Sequence, residues 1–140
     1  MINNADITII SKARTEEDCD ETEFFTVGSF SETEKGFVVK YSENADIGYD
    51  SCSITMTING ESVTIERSAP APSILTVEKG KKHHCLYGTP YGDFMMGINA
   101  FEVRNELTSD GGKLYLKYSI DINSDFVSEN ELDITIRKDN

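Results

Sequence analysis

Hydrophobic and polar residues alternate along most of this chain, and clusters of Gly, Pro, Asn, Asp and Ser interrupt the alternation at about ten-residue intervals. Alternation is typical of strands that bury one face, and frequent turn signals indicate antiparallel neighbours. No segment of helical length shows the periodicity of an amphipathic helix. We therefore predict an all-β protein, whose strands outside two clear hairpins cover residues 5–14, 22–31, 36–42, 73–79, 82–88 and 129–137.

The stretch SCSITMTINGESVTIER, residues 51–67, contains the clearest hairpin signal. Two alternating runs flank Asn59 and Gly60, and this dipeptide favours a two-residue turn. If the dipeptide forms the loop, Cys52 lies opposite Arg67 in the paired strands. The same register turns the Arg67 side chain toward the apolar face of the hairpin.

A second hairpin joins residues 99–108 to residues 113–122 through the sequence SDGG. A two-residue loop places Phe101 on the same face as the alternating apolar residues of the second strand. The apolar residues just before this hairpin have the opposite parity. We therefore predict a β-bulge near Asn99 and Ala100 that changes the phase of the strand.

These segments amount to about ten strands in a chain of 140 residues, a length that suits one domain with one core. A closed barrel is the economical arrangement because closure removes unpaired strand edges. We predict a single antiparallel, mostly up-and-down barrel of about eight to ten strands, which forms one domain over residues 1–140.

The chain is acidic, with 25 Asp and Glu against 13 Lys and Arg and a formal net charge of −12. This charge repels phosphate backbones and anionic membrane surfaces, so we expect neither nucleic acid nor a membrane as a partner. The N-terminal sequence lacks a basic region followed by a long apolar run, and we expect a cytoplasmic protein. Cys19, Cys52 and Cys85 are widely and irregularly spaced, and we expect them to be free thiols.

The stretch KHHCLYGTPYGDF, residues 82–94, is the densest group of chemically versatile residues in the chain. Within a strand His83 and Cys85 share a face that His84 does not, and two ligands are fewer than zinc requires. Residues 89–92 fit a type I turn, and no Lys-Ser or Lys-Thr pair follows them, as a phosphate-binding loop would need. We predict a strand, a turn and the next strand here, with no metal ion and no cofactor.

Arg67 is the cation that the predicted hairpin register turns toward the interior. A guanidinium there must be paired, hydrogen-bonded or open to a watery cavity, because its charge cannot be left dry. One interpretation is a structural arginine held by carbonyl groups or a carboxylate near the barrel mouth. The other is an anchor for an anionic small molecule, with the inward Tyr118 as a neighbouring hydroxyl group. No nucleophile elbow is present and the two histidines are adjacent, so we predict no catalytic residues.

Three motifs stand out in the sequence: IERSA at 65–69, LYGTPYGDF at 86–94 and GGKLYLKYSIDI at 111–122. They resemble those of the bacterial DUF1934 family of YwiB-like proteins, and the resemblance extends over nearly the whole chain. It implies a calycin-type, lipocalin-like β-barrel of unknown function, without established catalytic residues. Ala69 and Ala100 stand where the family pattern has Gly and Thr. The positions that match the family's motifs are Tyr41, Glu43, Arg67, Tyr87, Thr89, Gly92 and Tyr118.

Our leading functional hypothesis is a barrel that binds a small, anionic molecule in its lumen or at its mouth, because a barrel of this size can enclose one small molecule. The candidate ligand-binding residues are Arg67, Tyr118, Tyr87, Thr89 and Tyr41.

The alternative is a non-catalytic interaction or assembly scaffold with a packed interior, since inward residues such as Phe37 and Met56 are bulky. Its acidic surface would dock a basic partner, with residues 15–22 and 42–50 as contact candidates, or a sheet edge would form a homodimer. An enzyme is the third hypothesis, because perturbed acids and bases on a barrel are not visible in a sequence. The volume of any cavity next to Arg67 distinguishes the first two hypotheses.

Overall fold

The structure is a computed structural model, and it describes residues 4–43, 52–68, 73–89 and 92–139. Every regular element within these ranges is a β-strand, which confirms the predicted fold class. The strands are β1 Ala5–Arg14, β2 Cys19–Thr33, β3 Gly36–Glu43, β4 Cys52–Asn59, β5 Ser62–Arg67, β6 Ser73–Glu78, β7 Lys82–Thr89, β8 Gly92–Thr108, β9 Gly111–Ile122 and β10 Asp125–Lys138.

The described strands form a single antiparallel sheet in the order β6-β5-β4-β3-β2-β1-β10-β9-β8-β7. Each strand pairs with its neighbour in the chain, except at β6 and β7, and β1 also pairs with β10. The two end strands, β6 and β7, are joined by a short turn and lie against each other without forming a ladder. The sheet therefore curls into a nearly closed, up-and-down barrel, as predicted.

The hairpin of β4 and β5 has a different register from the one that the Asn-Gly signal predicts. Its loop consists of residues 60–61, not of residues 59–60, and Arg67 pairs with Ile54 rather than with Cys52. The reason is local. Gly60 has a φ of 61° and occupies the first of the two loop positions, and a turn with glycine there needs a positive φ at that residue alone. The loop moves by one residue, so the cross-strand partner of each residue changes by two positions. A change of two positions keeps every side chain on its original face, and Arg67 still faces inward.

The hairpin of β8 and β9 contains the predicted β-bulge. The ladder shifts its register between Ala100 and Glu102, so Phe101 is the additional residue. The inward position that precedes the shift belongs to Ala100, and Phe101 is 54% exposed. The expected inward orientation of Phe101 was therefore wrong, because the bulge falls one residue later than the hydrophobic pattern indicates.

One half of the barrel interior is filled by side chains. The alternating residues of each strand interdigitate there, and Phe30 stacks on Phe37 with ring centroids 5.3 Å apart. The fully buried side chains are mostly branched aliphatic residues, namely Ile7, Phe30, Val39, Ile54, Ile58, Val63, Val77, Ile98, Leu114, Leu116 and Ile134.

Candidate functional site

The other half of the barrel interior holds a cavity of about 540 Å³. On β10, Ile134 is fully buried, whereas Leu132, the next inward residue, lines the cavity. On β9, Leu116 is fully buried and Tyr118 lines the cavity. All ten described strands contribute to the wall, through Ile9, Ser11, Thr22, Glu23, Phe24, Tyr41, Ile54, Met56, Ile65, Arg67, Leu75, Cys85, Met96, Tyr118, Ile120 and Leu132.

The cavity wall is apolar except for a few groups. Ser11, Thr22 and Arg67 contribute polar side chains to the wall, and Glu23, whose alternation with Phe24 turns its side chain outward, borders the rim of the cavity. Thr22 and Glu23 are solvent-exposed, so the cavity reaches solvent beside this part of β2. The site is therefore an apolar chamber with a polar mouth.

Arg67 is positioned in the cavity by the β3–β4–β5 ladder. It pairs with Ile54, and Ile54 pairs with Tyr41, so the three residues form one row across neighbouring strands. All three line the cavity. Arg67 is half-buried, so part of the residue remains in contact with solvent. Within this row the structure brings together two of the residues that the sequence analysis selected, Arg67 and Tyr41.

Tyr118 also lines the cavity, from the β9 side. Burial raises its pKa to about 12, so the phenol is neutral at physiological pH and can both donate and accept a hydrogen bond. Tyr41, which is almost fully buried, lies near Phe24 with ring centroids 6.0 Å apart and the rings tilted. These aromatic side chains give the wall a large apolar surface that carries two hydroxyl groups.

The two remaining candidate residues, Tyr87 and Thr89, belong to β7. Their backbones pair with Phe94 and Gly92 respectively, but their side chains lie outside what the structure describes. The predicted turn between them and β8 includes residues 90–91, which also fall outside the described ranges.

The two histidines near the start of β7, His83 and His84, have different surroundings and do not form a common site. Nε2 of His83 lies 2.9 Å from a carboxylate oxygen of Glu78, whereas His84 is exposed. The hydrogen bond with His83 and a second one with Lys81 lower the pKa of Glu78. The described residues contain no group of three or more His, Cys, Asp or Glu side chains placed to hold a metal ion. His83 instead ties β7 to the last residue of β6.

Cys19 and Cys85 are free thiols, and the side chain of Cys52 lies outside what the structure describes. Cys85 lines the cavity, and burial raises the pKa of its thiol. The thiol is therefore protonated at neutral pH and contributes a small, mostly apolar surface to the wall.

Several cavity residues were missed by the sequence analysis, above all Phe24, Leu75 and Met96. Their inward parity can be read from the alternation within each strand. Parity alone does not distinguish a wall residue from a packed one, because the level along the barrel depends on the register of all the neighbouring strands.

The outer surface carries salt bridges. Arg14 and Lys117 lie 3.0 and 3.4 Å from the carboxylate of Glu129, and Tyr115 donates a hydrogen bond to Glu131. Partial burial alone would raise the pKa of Glu129, but its contacts with Arg14 and Lys117 lower it. Two outer clefts of about 160 and 130 Å³ lie among these residues, and both are much smaller than the interior cavity.

Another ion pair on the outer surface crosses β8. Lys82 of β7 and Asp121 of β9 lie 2.9 Å apart, and the strand between them presents Gly97 at the crossing. A Cβ at Gly97 would lie 2.6 Å from Cε of Lys82 and 2.5 Å from Oδ1 of Asp121. The absence of a side chain at this position therefore lets the salt bridge form.

The fold and the site define a class of protein, a nearly closed antiparallel β-barrel whose interior is half filled and half open to a ligand-sized cavity. A family model described as "Domain of unknown function (DUF1934)" matches residues 7–134, so the chain belongs to this family. The crystal structure of the ywiB protein from Bacillus subtilis is similar, with a TM-score of 0.79 at 14% identity over 99% of this chain and 93% of that chain. At this identity the similarity establishes the fold alone.

No curated protein matches the chain. The part of the chain that the structure describes contains no helix long and apolar enough to cross a membrane.

Proposed function

We propose that the barrel binds a small organic molecule, with an apolar body and one anionic group, inside the cavity next to Arg67. The observation that carries this proposal is the cavity itself, whose volume of about 540 Å³ falls in the range of small-molecule sites. A scaffold with a filled interior, the main alternative, would leave no such space beside Arg67.

The composition of the wall supports an apolar ligand body. Residues such as Ile65, Leu75 and Leu132 offer branched aliphatic surface, and each Å² of apolar surface removed from water contributes about 25 cal/mol. Met56 and Met96 are unbranched and flexible, so they can adapt to the shape of a ligand.

The polar groups support a single anionic group near the mouth. A guanidinium carries five N–H donors in a planar fork, so Arg67 can hold a ligand carboxylate in addition to a protein partner. The neutral hydroxyl of Tyr118, which lines the same cavity from β9, can donate a further hydrogen bond. Glu23 at the mouth disfavours a second negative charge on the ligand.

To test the proposal, the protein is unfolded and refolded to remove any bound molecule, and native mass spectrometry verifies that the refolded protein is ligand-free. It is then titrated with three ligands that share a dodecyl chain: dodecanoate, dodecanol and dodecyltrimethylammonium. We expect dodecanoate to bind about tenfold more tightly than dodecanol, which corresponds to about 1.4 kcal/mol, and the cationic ligand to bind most weakly. Arg67→Ala should abolish the preference for dodecanoate over dodecanol. Arg137→Ala is the matched control, because it removes the same charge from an exposed outer position.

A cavity-filling variant separates the apolar part of the proposal from the electrostatic part. Ile65→Trp places a larger side chain in the wall and should weaken all three ligands alike. If Ile65→Trp leaves their affinities unchanged, the ligands bind elsewhere. If none of the three binds to the unmodified protein, the proposal fails as a whole.

A further inference from the structure

Part of β2 has an edge to which no other described strand is paired. β2 pairs with β1 from Cys19 to Gly28, but it pairs with β3 only from Gly28 to Thr33. Among the described residues, therefore, no strand pairs with the other edge of residues 19–27, which we call the β2 edge. Such an edge presents unpaired N–H and C=O groups and is a template for another strand.

The outward side chains along the β2 edge form an ordered stripe. Glu21 and Glu23 are exposed, and the next two outward residues, Phe25 and Val27, are 67% and 46% exposed. Asp20 adds another exposed acidic side chain to the same edge. A stripe of two acidic residues followed by two large apolar ones differs from the charged edges that protect sheets from association, because Phe25 and Val27 stay accessible.

The charges of the stripe decide which occupant fits. A second copy of this chain that paired antiparallel about Glu23 would place the two Glu23 carboxylates directly opposite each other, with each Glu21 diagonal to the Glu23 of the other copy. Like charges placed directly opposite each other in a sheet are destabilising. The net charge of −12 adds a long-range repulsion between copies. A basic segment reverses the sign of both effects.

We propose that the β2 edge binds an extended segment of a partner protein in which apolar and basic residues alternate with other residues, and which adds to the sheet as a further antiparallel strand. The backbone hydrogen bonds of the added strand supply part of the affinity. Two apolar side chains of the segment lie over Val27 and Phe25, and two Lys or Arg side chains lie over Glu23 and Glu21. About seven residues of the segment are enough to cover this stripe.

The probe is a capped peptide of the sequence Val-Thr-Val-Thr-Lys-Thr-Lys, whose alternate side chains match the stripe in the antiparallel direction. Titration into isotope-labelled protein, followed by NMR, should shift the amide signals of residues 20–27 and slow their hydrogen exchange. The double variant Glu21→Lys with Glu23→Lys should weaken binding at least about tenfold. Glu32→Lys with Glu34→Lys is the matched control, because it makes the same change in net charge at exposed positions beyond the β2 edge.

Three results would overturn the proposal. One is the absence of amide shifts in residues 20–27 at about 1 mM peptide, where even a weak strand addition is populated. Another is an equal loss of affinity in the two double variants, which would reduce the effect to net charge. The third is a dimer of this chain in sedimentation velocity that Phe25→Asp abolishes, since the edge would then be occupied by a second copy.

Discussion

Leu132→Ala and Ile134→Ala remove equal numbers of carbon atoms from neighbouring inward positions of β10, yet we expect very different losses of stability. Ile134 is fully buried, and its cross-strand partners are Leu114, which is also fully buried, and Ile9, which lines the cavity. Leu132 is half-buried and lines the cavity. The pair therefore tests whether the boundary between the packed half and the cavity lies between these two residues.

The magnitudes follow from burial and from the space left behind. Ile134→Ala removes roughly three CH₂ equivalents at about 0.8 kcal/mol each, and the new void adds about 1–2 kcal/mol, for a total near 4 kcal/mol. Leu132→Ala loses at most about half of the same transfer free energy, roughly 1.2 kcal/mol. It creates no new void, because its side chain already borders an open space.

The assay is urea denaturation of refolded, ligand-free protein, followed by far-ultraviolet circular dichroism, with the m-value checked for each variant. The expected difference in the free energy of unfolding between the two variants is about 3 kcal/mol. Losses that agree within about 1 kcal/mol would mean that Leu132 is packed as tightly as Ile134, and the cavity would not exist as described.

Three further predictions concern other parts of the barrel. Gly28→Ala should lower the free energy of unfolding by about 1–3 kcal/mol in urea denaturation, because a Cβ would lie 2.2 Å from the backbone oxygen of Lys40 and the strands must move apart. Gly97→Ala should cost about 0.5–1 kcal/mol by displacing the salt bridge that crosses it, and this cost should disappear in a Lys82→Ala background, which lacks both the salt bridge and the lysine Cε atom that the new Cβ would meet. The stabilising contribution of Glu78, whose folded pKa is lowered, should be complete above its ordinary pKa and should disappear as the pH falls through the lower, folded value. Unfolding measured across acidic pH should show this loss, and Glu78→Gln should remove it.

The β4–β5 hairpin illustrates which part of a local pattern can be trusted. The inward or outward direction of each side chain was predicted correctly although the loop was not. The shift of the loop from residues 59–60 to residues 60–61 changes each cross-strand partner by two positions, which leaves every side chain on the same face. The inward direction of Arg67 was therefore predictable, although its partner was not. At the β-bulge, by contrast, a displacement of one residue turned Phe101 from the interior to the solvent.

The candidate site was only partly predictable for a similar reason. Arg67, Tyr41 and Tyr118 could be selected because each is an inward residue with a polar group, and all three line the cavity. Phe24 could not be selected, because its strand had to be aligned with β1 and β3 before its level along the barrel was known. The edge of β2 that no other described strand pairs with was equally hidden, since a sequence does not show where the pairing of β2 with β3 ends.

Sequence patterns were sufficient to predict that the chain is all-β, that its strands are antiparallel and, away from the β-bulge, which side chains face inward. These properties depend on residues two positions apart and on turns of a few residues, so they are local. The division of the interior into a filled half and an open half became visible only in the three-dimensional structure. Cavity volume depends on the tilt and stagger of ten strands at once and on side chains that meet across the lumen from distant parts of the chain.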